Sequence, residues 1–104
     1  MCSRASCWIF LIFSIYWSQF SMKIEEVISL VMTELNRAEE AHPDWPKDDV
    51  RAAAVVAEKS GELVKAVLDH EEKNTSRYAI ITEAVQTAAS AIRFLKNFEE
   101  KNNG

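Results

Sequence analysis

Lys23–Ala41 reads KIEEVISLVMTELNRAEEA, and its spacing decides the fold. Ile24, Val27, Ile28, Val31, Leu35 and Ala38 recur three or four positions apart, which places them on one stripe of a helix. Glu25 and Glu26 occupy the first turn, where the helix dipole favours anions. Downstream, His42-Pro-Asp-Trp45-Pro-Lys-Asp48-Asp49 carries two prolines that stop the helix, and Asp48 or Asp49 can cap a second one. That helix is predicted from about Val50 to Glu72, with Ala52, Val56, Leu63 and Val67 on its stripe. Gly61 lies in its interior at a cost of about 1 kcal/mol against Ala, which reads either as close packing against another helix or as simple tolerance. Asn74-Thr75-Ser76 breaks the chain. A third helix follows from about Arg77 to Phe98, with Ile81, Ala84, Val85, Ala88, Ile92 and Leu95 aligned, and then a polar tail expected to fray.

With 104 residues the chain is sized for one domain, and two Gly and two Pro are too few for the turns of a sandwich or barrel. Residues 22–104 therefore read as an all-α unit of three amphipathic helices. Much of their apolar content is Ala, which buries little area per residue. A chain of roughly 80 residues has a marginal core on its own. The expected remedy is a helical bundle completed by a second or fourth copy of the chain, a homodimer or homotetramer.

Residues 1–21 have different chemistry. Arg4 is the only cation before Lys23, and Cys7–Trp17 (CWIFLIFSIYW) is apolar but shorter than the roughly 20 residues a membrane span needs. The segment reads as signal-like, as a structured apolar arm, or as an upstream extension whose true start is Met22. A membrane role is not expected, and the compartment expected is the cytoplasm unless 1–21 is a genuine signal or anchor. Both cysteines, Cys2 and Cys7, lie in it, so the helical part has neither a thiol nucleophile nor a Cys-based metal site.

Net charge is −4, and no basic cluster breaks the acidic balance, which argues against nucleic acid as a partner. A polyanion can still be met through a metal ion. Gly-rich phosphate loops, GxSxG and HExxH are all lacking, so any chemistry must come from carboxylates and a metal. Glu58 and Glu62 share a face of the second helix, and Glu83 lies midway along the third. If these helices pair antiparallel about residues 74–75, residue 62 lies near the level of 87 and residue 66 near 83. Glu62 and Glu83 then approach one another offset by about one turn. Facing carboxylates of this kind hold Mg²⁺ or Mn²⁺ in bundles, and they are also common as solvated surface residues. Lys59 interrupts the apolar stripe, either snorkelling outward or pairing with Glu62 and Glu83. His70 suits a helix end. Trp45 either plugs the core edge or stacks a base.

The stretch 52–66, AAAVVAEKSGELVKA, resembles the first metal-site helix of the MazG-like nucleoside triphosphate pyrophosphohydrolases, in which EExxE precedes an apolar residue. The stretch 83–95, EAVQTAASAIRFL, is similar to the second, which carries ExxD. The loop His42-Pro-Asp-Trp45-Pro looks like the one entering that helix in small phage or mobile-element members. The resemblance covers most of 22–98. It implies an all-α oligomer that cleaves NTP or dNTP to the monophosphate and pyrophosphate with Mg²⁺. It further implies Glu62 and Glu83 as metal ligands with Glu58 the leading acid of the motif; beside these catalytic candidates, Gln86 is a candidate neutral ligand, and Trp45 and Lys59 are the candidate substrate contacts. The metal in such sites neutralises the triphosphate and activates water. Two positions depart from the family: Lys59 replaces the second Glu of EExxE, and Gln86 replaces the Asp of ExxD. The alternative reading is therefore an impaired nucleotide-binding or scaffold protein in which Lys59 stands in for the metal.

Overall fold

The computed structural model describes residues 22–103, with side chains described through Phe98; the readings made on residues 1–21 lie outside them. Three helices follow: α1 (Ile24–Ala41), α2 (Asp49–Lys73) and α3 (Arg77–Asn103). The described residues are otherwise loop, so the all-α reading holds. The third helix runs past the predicted Phe98. Glu99, Glu100 and Lys101 are good helix formers, and no breaker comes before Gly104.

Local chemistry sets the ends. The Asp48 carboxylate accepts from the Val50 amide at 3.4 Å, closing the first turn of α2. Asn74 ends α2 in the left-handed region, φ 55° and ψ 41°, with its amide donating to the His70 carbonyl. The Ser76 hydroxyl accepts from the Tyr78 amide at 3.1 Å and starts α3. His70 and Lys73 occupy the last turn of α2, where cations suit the dipole. The last turn of α1 has no basic residue of its own.

α3 is the central helix. It packs against both α1 and α2, whose backbones stay apart from one another. Val31, Leu35 and Ala89 are the core of the α1–α3 contact, with Val27, Val85, Ala88 and Ile92 packed around them. α1 runs parallel to α3, since Lys96 of α3 reaches Glu39 near the end of α1 at 2.9 Å, while Leu30 and Thr33 share a groove with Tyr78 and Ile81. α2 runs antiparallel. The Thr87 hydroxyl lies 3.1 Å from the Lys59 carbonyl and 2.7 Å from its own Glu83 carbonyl, a link between α2 and α3. This sets 59 level with 87, about one turn from the expected pairing of 62 with 87. Ala52 of α2 is buried, and the register differs from the one expected about the Asn74 loop.

No large side chain among the described residues is fully buried. The stripes are only half covered: Ile24 and Ile28 of α1 are 64% and 55% exposed, and Leu95 of α3 is 61% exposed. Gly61 is not a close-packing site within the chain, because a Cβ there meets nothing within 4 Å. No helix among the described residues is long and apolar enough to cross a membrane.

Candidate functional site

The register brings Glu62 of α2 nearly level with Glu83 of α3, and the two carboxyls act on one another. The one-turn offset expected from the sequence is thus absent. The Glu83 carboxyl is pushed up from its ordinary value, first by burial, then by the neighbouring Glu62 carboxyl. One oxygen of Glu83 is shut off from solvent and has no hydrogen-bond partner. An acidic pair with an orphaned oxygen needs a cation or a proton.

The nearest cation is Lys59, whose Nζ lies 3.6 Å from Glu62 Oε2. Its charge also draws down the carboxyls of Glu83 and of Glu34. Lys59 is therefore both half-exposed and paired, so the snorkelling and ion-pair readings each hold in part. Glu34 comes from α1, and its carboxylate is gripped by the Arg37 fork at 2.6 and 2.7 Å. That grip, with the Arg37 charge and then Lys59, keeps Glu34 below its ordinary range.

A cavity of about 380 Å³ opens beside this group, bounded by α1, the 42–48 loop, α2 and α3. Glu34, Lys59 and Gln86 line it together with Trp45 and Arg93. Arg93 is 7% exposed. Its guanidinium donates to the Ala38 carbonyl at 3.5 Å and to the His42 carbonyl, and it lies 5.0 Å from the centre of the Trp45 ring. The side chain thus caps the end of α1 from another helix and pins the loop that carries Trp45. Trp45 is half-buried at the core edge with its ring forming a wall of the cavity, compatible with either role set out for it.

Of the residues singled out from the sequence, Glu62, Glu83 and Lys59 come together, and Gln86 and Trp45 share the adjoining cavity with Lys59. Glu58 is exposed on α2 and lies outside the cavity. Among the described residues no three His, Cys, Asp or Glu side chains are gathered as a metal would require. Glu62 and Glu83 by themselves offer two carboxylates from facing helices, fewer than the six or more oxygen ligands a hard cation takes, and one Glu83 oxygen has no hydrogen-bond partner.

Sequence reasoning passed over Glu34, Arg37 and Arg93. Arg93 had a visible signal: a cation one turn after Ala89, in a run otherwise made of Ala, Ser and Ile. Glu34, next to Leu35 on α1, had none, since it faces the site only because α1 is parallel to α3. In comparisons with known proteins, no family model matches this chain, and no curated protein or solved structure does.

Proposed function

We propose that the chain is a MazG-like nucleoside triphosphate pyrophosphohydrolase that converts NTP or dNTP to the monophosphate and pyrophosphate with Mg²⁺ or Mn²⁺. The observation that carries this is the level Glu62–Glu83 pair with its orphaned oxygen, an acidic couple from two facing helices that calls for a cation. In this reading Glu62 and Glu83 hold the metal, with Gln86 one turn on as a neutral oxygen donor and Glu58 as a further acid. Mg²⁺ supplies charge neutralisation for the triphosphate and a water of lowered pKa. Trp45 and Lys59 meet the nucleotide. The exposed faces of Ile24, Ile28 and Leu95 support assembly with further copies, which is also how additional carboxylates reach the site.

A second reading has its own observation. The Lys59 ammonium acts on Glu34, Glu62 and Glu83 together, as a resident cation does. The protein is then a nucleotide-binding or scaffold relative without turnover. Incubation with NTPs and dNTPs, with and without Mg²⁺, decides. Pyrophosphate plus monophosphate, abolished by EDTA and by Glu62→Ala, supports the enzyme. A folded protein with no turnover leaves the second reading.

A further inference from the structure

α2 carries a second apolar stripe, on the side away from α3. Val50, Ala54, Ala57, Gly61, Val64 and Leu68 recur at alternating steps of four and three residues, the spacing of a coiled-coil seam, and all six are exposed. The face turned to α3 is a different one: it holds the buried Ala52, the Lys59 carbonyl beside Thr87, and the half-buried Leu63 and Ala66. The outer side of a surface helix is ordinarily polar, and an apolar row there marks a contact surface. On this row Val50, Val64 and Leu68 are 76%, 56% and 49% exposed. Gly61 at its centre weakens an interior helical position by about 1 kcal/mol, and among the described residues nothing comes within 4 Å of a Cβ there. The stripe runs from Val50 to Leu68, about 27 Å along the helix axis, before Glu71 ends it.

We infer that this face docks a second copy of the chain, as an antiparallel α2–α2 pair about a two-fold axis near residues 62 and 63. In that register the sizes match. Gly61 lies opposite the partner's Val64 and Ala57 opposite the partner's Leu68, and the symmetry repeats both contacts. The charges match as well. Arg51, Glu58, Lys65 and Glu72, seven residues apart and all exposed, run down one flank of the stripe with alternating sign. The antiparallel pair sets Arg51 against the partner's Glu72 and Glu58 against the partner's Lys65, and the two-fold doubles each pairing. Lys65 also holds Asp69 of its own helix at 2.9 Å, and an ammonium has donors for both. A parallel pair would stack Gly61 on Gly61 and Leu68 on Leu68, and would turn the charged flank toward the uncharged Ala53, Ser60 and Val67. The face is separate from that of Ile24, Ile28 and Leu95, and the inference rests on neither a metal nor turnover.

The test is sedimentation equilibrium of the full chain, in EDTA, for the parent and its α2 variants. Leu68→Glu buries a charge against the partner's Ala57 and should weaken association by about a hundredfold. Glu58→Lys meets the partner's Lys65 at two symmetric places and should weaken it by about tenfold. Glu58→Lys combined with Lys65→Glu exchanges the two charges and should recover most of that loss, which the antiparallel register predicts and a parallel one does not. Leu68, Glu58 and Lys65 are all exposed in the single chain, so the variants keep its fold, which circular dichroism checks. Association through another face persists in every variant and does not respond to the charge exchange. A chain that stays monomeric at millimolar concentration, an association untouched by Leu68→Glu, or a double variant no tighter than Glu58→Lys overturns the inference.

Discussion

Reversing the charge at residue 59 perturbs the site most directly, and Lys59→Glu has a magnitude that can be worked out. At the 3.6 Å between Lys59 Nζ and Glu62 Oε2, the pair is worth about 1.2 kcal/mol in a water-like dielectric and about 4.6 kcal/mol at an effective dielectric of 20. Side-chain exposures of 36% and 42% put the contact near the first limit, so its loss costs about 1 kcal/mol. The new carboxylate then repels Glu62, Glu83 and Glu34, which brings the total to about 2–3 kcal/mol. For a domain of this size that is a fall of very roughly 10–20 °C in Tm. The same variant gains a third carboxylate for a cation. Mg²⁺ at a hundredfold excess over its Kd would return about 2.7 kcal/mol. Thermal denaturation of parent and variant, in EDTA and in Mg²⁺, reads both effects. The expected pattern is a low Tm in EDTA for Lys59→Glu, largely restored by Mg²⁺, against a parent that responds weakly. A variant that melts with the parent in EDTA would refute the placement of Lys59 among these acids. A Mg²⁺ response equal in both proteins would refute its competition with the metal.

Glu83→Gln should raise stability at neutral pH. A carboxyl whose folded value is raised contributes stability below its unfolded value of 4.5 and loses it as pH rises through the folded one, so the parent should gain stability on acidification toward 4.5 and the variant should gain less, by denaturant titration across that range. Leu35→Ala removes a side chain 3% exposed in the α1–α3 core and should cost about 2–4 kcal/mol in a urea melt. Gly61→Ala should stabilise the dissociated chain by about 0.5–1 kcal/mol, since the new Cβ has open space and the helix gains propensity; a loss in the associated protein would mean that a second copy packs on that position. Ile28→Glu, on the uncovered side of α1, should dissociate the proposed oligomer in analytical ultracentrifugation, and an unchanged sedimentation coefficient would remove that face from the proposed interface.

Helix positions were legible because their signals are local. Proline pairs, the Asp48 cap and the left-handed Asn74 mark ends within a few residues, and the 3.6 period marks faces. The register was not legible. It follows from how α2 packs on α3, with the Thr87 hydroxyl beside a Lys59 carbonyl 28 residues away, and such long-range contacts leave no periodic trace. A misjudged register of one turn is about 5 Å along an α-helix, enough to decide whether Glu62 and Glu83 are level or staggered. Glu34 was hidden for a similar reason: the parallel packing of α1 on α3 is a tertiary fact. The covered part of the α1 stripe, Val31 and Leu35, was visible from spacing, while the exposure of Ile24 and Ile28 on the same stripe was not.

The same geometry ties the site to the fold. Arg93 holds the end of α1 and the Trp45 loop at once, so the cavity wall and the α1–α3 packing share one side chain. Thr87 meets α2 from α3 one turn from Glu83, so the same seam carries that contact and the approach of the two carboxylates. Substitutions that shift the register by a turn would therefore move Glu62 away from Glu83 before they unfolded the helices. The acidic pair is inherited from the packing of α2 on α3, and the chemistry available to this chain depends on which cation, Lys59 or a metal, answers it.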